Sequence, residues 1–173
     1  LEALEIGGVP SQMSRRGSVS ALGAMGDPDL RSVTLDPERT YLGEAPYGSM
    51  DPDERIELLD AEGIDAAILY TTVGLLWEAE LTDPELSQAY TRAYNRWICE
   101  FCAGHDRLVP TAHLSLTDPA AAARELERAV GEGARGAYVC PFTHDGKPLG
   151  HPDHDPVFAA AQDLDVPFAI HPT

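Results

Sequence analysis

Six histidines stand in this chain, and their surroundings suggest different chemistry for each. His171 closes the apolar run Val166-Pro-Phe-Ala-Ile-His-Pro. Imidazole is the commonest metal ligand, and a strand end holds it rigidly. Pro172 stops the strand at once, because it has no N–H to extend a ladder. A hydrogen-bonded structural histidine is the alternative reading of the same residue. His113, in "VPTAHL", also ends an apolar run, where it could line a site or face a helix. His144, His151 and His154 fall in "FTHDGKPLGHPDHDP", which resembles a metal cluster in composition only. Its Gly and Pro content marks a turn-rich loop, where His and Asp serve as turn formers and caps; such a loop over a site would touch substrate through Phe142 and His144. His105, in "CAGHDRL", reads as a helix-terminus residue.

Other nucleophile and ligand patterns lead nowhere. Cys99 and Cys102 form a C-x-x-C inside a helical pattern, away from the strand-to-helix turn where redox pairs sit, and Cys140 completes an odd number. Reduced thiols follow. Lys147 is the one lysine, and its place in a loop argues against Schiff-base chemistry on a barrel strand. No G-x-S-x-G, H-E-x-x-H, P-loop or G-x-G-x-x-G occurs.

The elements that must position these residues repeat from about residue 50: an Asp-Pro helix start, an amphipathic helix, a Gly-containing stop and a short apolar run. In the first copy Asp51 caps, Gly63 stops, and Ile64 to Tyr70 reads as a buried strand. The second runs from "TDPEL" to Gly104, with Tyr90, Ala93, Tyr94, Trp97, Ile98 and Phe101 on its apolar face, and leads to the strand "RLVPTAHLSL". The third, capped by Thr117, leads to "ARGAYVCPF"; the fourth, capped by Asp155, leads to "VPFAIHPT". Strands separated by helices lie parallel with right-handed crossovers, so the class is α/β. A (β/α) barrel is preferred over an open doubly wound sheet, since no nucleotide-binding turn is present. In either, ligands gather at the strand carboxyl ends, here Tyr70, His113, Cys140 to His144 and His171.

A barrel needs about eight strands and about 250 residues, whereas four strands are countable here, so the chain reads as a fragment. Residues 1–49 are Gly-, Ser- and Pro-rich without a sustained period and read as an irregular insertion or lid; residues 50–173 read as the partial barrel. With 29 acidic and 12 basic residues, the net charge of −17 disfavours nucleic acid. No apolar run approaches the roughly 20 residues of a membrane span, and a cytoplasmic protein is expected.

Three stretches together, "LLDAEGIDAAILYTTVGL", "AYTRAYNRWICEFCAGHDRLVPTAHLSLTDPAAAARELERAVGEGARG" and "HDPVFAAAQDLDVPFAIHPT", resemble the amidohydrolase-related family that includes aminocarboxymuconate-semialdehyde decarboxylase. The resemblance covers residues from about 50 to 173. It implies a distorted (β/α)8 TIM barrel with a divalent metal, commonly zinc and sometimes manganese, at the strand carboxyl ends. Such members bind metal through an H-x-H pair on the first strand, a histidine ending the fifth and an aspartate on the eighth. Matched so, the strands here are the second to fifth and His171 is a metal ligand; Tyr70, His113, Phe142 and His144 are expected as substrate contacts from their own places at the strand ends and in the loop. No H-x-H occurs in residues 1–49, which match the insertion after the first strand. The implied activity is decarboxylation or hydrolysis of a small organic acid by a homo-oligomeric parent protein, incomplete in this chain alone. The alternative is a non-catalytic, truncated α/β domain used for binding or assembly.

Overall fold

The computed structural model describes residues 5–10, 46–72, 74, 80–141, 143 and 145–171. The chain divides into two compact units, Leu1–Ile64 and Asp65–Thr173.

In the first unit, β1 (Glu5–Ile6) and β2 (Val9–Pro10) form an antiparallel hairpin. Its two-residue turn, Gly7-Gly8, has φ of 64° and 74°, the left-handed values that match strand twist and that glycine adopts without strain. The sequence reading of this region as wholly irregular is corrected here: the Gly-Gly between Ile6 and Val9 is a hairpin signal too short to register as a period. Helix α1 (Pro52–Glu62) is bounded as its sequence implies. The Asp51 carboxylate accepts from the Asp53 and Glu54 amides at 2.8 and 3.2 Å, and Gly63 closes the helix in the left-handed region.

The second unit alternates short parallel strands with helices: β3 (Ala67–Leu69), α2 (Pro84–Cys102), β4 (Leu108–Pro110), β5 (Ala112–His113), α3 (Pro119–Gly131), β6 (Ala137–Val139), a 3-10 turn (Pro152–His154), α4 (Asp155–Asp163) and β7 (Phe168–Ile170). β3 pairs with β4, and β5, β6 and β7 pair in that order, all parallel. β4 and β5 are one extended run that changes partner at Thr111, whose amide donates to Leu69 O while the Ala112 amide donates to Gly136 O. Pro110 has no N–H to give, so the ladder passes around it. Lateral order therefore equals chain order, without the reversal that defines a doubly wound sheet.

Register separates two faces. In parallel ladders, paired residues share a face and successive residues alternate. Leu108, Ala112, Leu114, Ala137 and Val139 lie on one face, all buried, together with the small residues Ala122, Ala129, Ala160 and Ala161 of the helices. Tyr70, His113, Tyr138 and His171 lie on the other. β3 departs from the expected buried strand: Ile68 is 61% exposed. Among the described residues β3 pairs on one side only, as does β7, whose Ile170 is 56% exposed.

Helix α2 also departs from its expected face. Ser87, Thr91, Tyr94, Asn95, Ile98, Cys99, Phe101 and Cys102 are buried, while Ala93 is exposed and Trp97 is 41% exposed. The buried stripe includes polar residues because the strands offer them partners. Asn95 accepts the His113 amide at 2.8 Å, donates to His113 O at 2.9 Å and donates to Glu125 Oε1 at 2.9 Å. Ser87 hydrogen-bonds Ser115 at 2.8 Å. Burial raises the Glu125 pKa, but hydrogen bonds from Arg128, Asn95 and Arg92 and the Arg128 charge outweigh it, so the carboxyl sits below its ordinary value. Caps shift too. Asp118, not Thr117, caps α3, accepting from the Ala121 amide at 3.0 Å, because the Thr117 hydroxyl is engaged with Ser115. Asp155 is the first residue of α4; the 3-10 turn supplies its entry, with His151 Nδ1 accepting from the Asp153 amide.

Removing the Asn95 carboxamide leaves both His113 peptide groups and one Glu125 oxygen without this partner in a buried setting. Asn95→Ala is expected to cost about 3 kcal/mol in urea unfolding, whereas the exposed Arg96→Ala changes stability by less than about 0.5 kcal/mol. Equal effects from both would remove the network from its structural role.

Candidate active site

Four rings meet at the carboxyl ends of the parallel strands. His171 follows β7, and its backbone N–H donates to Val139 O at 2.9 Å, carrying the ladder one residue further. Its half-buried imidazole lies 6.1 Å from the Tyr70 ring and 6.5 Å from the Tyr138 ring, centroid to centroid. Tyr70, 39% exposed, meets Tyr138 edge-on at 5.3 Å. His113 stacks on Tyr138 at 4.7 Å with planes 6° apart. Ring pairs of these kinds are favoured by the aromatic quadrupole, edge contacts above all.

Of the residues proposed from sequence, Tyr70 and His171 thus stand together at the open side, and His113 stands behind them. His113 is fully buried and faces Tyr138. Burial lowers its pKa from 6.5 to about 3, so it is neutral at physiological pH. Phe142 and His144 lie outside the described residues. Tyr138 is the member that sequence reading missed. Its signal is the parity of the strand "AYV": Tyr138 shares a register row with His113 and Ala169, two residues short of His171.

His154 and His105 each meet a backbone carbonyl. His154 is buried, with Nδ1 donating to Leu149 O at 3.0 Å. The His105 ring lies 3.2 Å from Ala103 O at the end of α2. Lys147 pairs with Asp153 at 3.1 Å. Cys99 and Cys102 are free and buried, and burial pushes the Cys102 thiol up to about 11, which keeps it protonated and unreactive. Among the described residues no three His, Cys, Asp or Glu side chains come close enough to hold a metal. The described residues alone therefore do not supply the three or four ligands that a bound zinc requires. No described helix is long and apolar enough to cross a membrane.

A sequence model described as "Amidohydrolase" matches residues 46–173. The chain is 35% identical over 127 residues to gamma-resorcylate decarboxylase of Rhizobium radiobacter, covering 69% of this chain and 38% of that protein. It superposes on 2,6-dihydroxybenzoate decarboxylase complexed with 2,6-dihydroxybenzoate with a TM-score of 0.65 at 30% identity, covering 81% of this chain and 45% of that one. The 5-carboxyvanillate decarboxylase of Novosphingobium aromaticivorans, complexed with manganese and 4-hydroxy-3-methoxy-5-nitrobenzoic acid, superposes with a TM-score of 0.65 at 28% identity, covering 93% of this chain and 43% of that one. The chain spans less than half the length of each.

The buried neutral His113 has a consequence for stability. Below pH 6.5 the unfolded chain takes up a proton that the folded chain refuses until about pH 3, so stability falls as pH falls through that window. The limiting slope is about 1.4 kcal/mol per pH unit. Between pH 6.5 and 4.5, His113→Phe is expected to flatten the plot of unfolding free energy against pH. Parallel slopes for wild type and variant would mean that His113 is not buried neutral.

Proposed function

Because the chain belongs to the amidohydrolase family, we propose that it forms part of a metal-dependent decarboxylase acting on a small aromatic acid. The observation that carries this reading is the His171 imidazole, held at a strand end beside the Tyr70 and Tyr138 rings. An aromatic acid needs an apolar surface for its ring and a charged anchor for its carboxylate. The half-exposed Tyr70 ring offers the first, and a cation ligated by His171 the second. Relatives named as decarboxylases of hydroxybenzoates, and a manganese-bound one acting on carboxyvanillate, support decarboxylation over hydrolysis. The cation is zinc or manganese.

In such a reaction the bond between ring and carboxylate breaks, carbon dioxide leaves, and a proton takes its place on the ring carbon. The metal, when bound, supplies a Lewis acid that holds the carboxylate. This chain's residues would bind and orient: His171 would ligate, Tyr70 would pack against the substrate ring, and Phe142 and His144, the further contacts expected from sequence, would add to it. His113 contributes from behind, through Tyr138. A (β/α)8 barrel, with these strands as its second to fifth, is the architecture that the consecutive strand order and the superpositions support.

Purified intact protein is expected to carry a stoichiometric divalent metal and to release carbon dioxide from ortho-hydroxybenzoates. His171→Ala is expected to lower both metal occupancy and turnover by more than the roughly 10- to 100-fold that loss of an orienting partner costs. Full metal content and unchanged turnover in that variant would sink the assignment of His171.

A further inference from the structure

We propose that His154 is the positioning residue of the loop between β6 and α4: its Nδ1–H grips Leu149 and so holds residues 141–149 in place beside the site. Pro141 opens this loop directly after Cys140, two residues past Val139, whose carbonyl takes the His171 amide. Loops that leave the carboxyl ends of parallel barrel strands are where ligands meet the protein.

Leu149 is held by both of its backbone polar groups. Its N–H donates to Pro141 O at 3.1 Å, which closes the loop on itself. Its carbonyl accepts from His154 Nδ1 at 3.0 Å, which ties the closed loop to the 3-10 turn that enters α4. Between these anchors the chain turns at Gly146, whose φ is 75° and whose N–H donates to Thr143 O at 2.9 Å. The Lys147–Asp153 ion pair at 3.1 Å also joins the loop to that turn, but it is exposed, and exposed pairs contribute little. The His154 ring is fully buried.

The unpaired atom shows which nitrogen the position needs. A carbonyl only accepts, so Nδ1 carries a proton, and Nε2 is buried without a hydrogen-bond partner. A buried nitrogen left unpaired costs stability, and a phenyl ring of about the same shape would avoid that cost. Packing therefore does not call for an imidazole at this position, whereas the bond to Leu149 does.

The kinetic consequence rests on the decarboxylase reading, and the hold on the loop does not. Hydrogen exchange of the 141–149 segment and turnover of 2,6-dihydroxybenzoate would be measured on the intact protein for wild type, His154→Phe and His154→Asn, whose amide nitrogen stands where Nδ1 does. In His154→Phe the expected result is about tenfold faster exchange and about tenfold higher KM, the factor that one lost hydrogen bond carries, with kcat within about twofold. His154→Asn is expected to keep wild-type values of all three. Unchanged exchange in His154→Phe would overturn the hold, and faster exchange at wild-type KM would overturn the role at the site. Equal loss in both variants would overturn the assignment to Nδ1. No turnover of any ortho-hydroxybenzoate by wild type would remove the decarboxylase reading, while exchange would still decide the hold. Should His154→Phe fail to fold, His154→Gln takes its place, since its longer side chain carries the amide nitrogen to the position of Nε2. Loop exchange as slow in His154→Gln as in His154→Asn would then overturn the proposal.

Discussion

The buried carboxamide of Asn95 ties the helical layer to the sheet. It takes both peptide groups of His113, which a neighbouring strand would ordinarily satisfy, and passes a third bond to Glu125 on α3. A buried carboxylate is tolerable only when its charge is met, and Arg128 and Arg92 meet it from the less buried side. α2, α3 and β5 are thereby held in one arrangement by a connected polar network. A half-satisfied version would be worse than an apolar core.

The consequence reaches the opposite face of the sheet. With its backbone held from the helix side, His113 turns its ring to the other face, where burial keeps it neutral and the ring packs face to face on Tyr138. Tyr138 stacks on it, Tyr70 and His171 set their rings against Tyr138, and the open side of the strands acquires an aromatic wall with one imidazole in it. A polar network on one face thus supports a ring cluster on the other. The small residues of α3 and α4 complete the helical layer, since alanines let helices approach closely without large side chains to order.

Much of this was legible in the chain. Asp51 and Asp83 cap real helix starts and Gly63 a real stop, because caps are local hydrogen bonds between residues two to four apart, although α2 closes at Ala103 rather than at its expected glycine. Helix faces were less legible. Trp97 and Ala93 count as apolar in any periodic reading, yet they are exposed, while Ser87, Thr91 and Asn95 are buried. Apolarity alone cannot identify polar residues that go inward, because their partners lie on strands distant in sequence. The same blindness hid Tyr138, an aromatic in a short apolar strand with nothing local to mark it.

The sequence by itself determined where helices begin and stop, that the strands between them run parallel, and that His113 and His171 end strands. It also carried the family resemblance, through motifs spread from residue 50 to the end. Only the tertiary structure decided that His113 is a buried packing residue while His171 stands half open, and that Tyr138 lies between them. The physical reason is range. Caps and turns are fixed by bonds within one helical turn, whereas the company that a strand-end side chain keeps is fixed by lateral register among strands that meet only when the whole unit has folded.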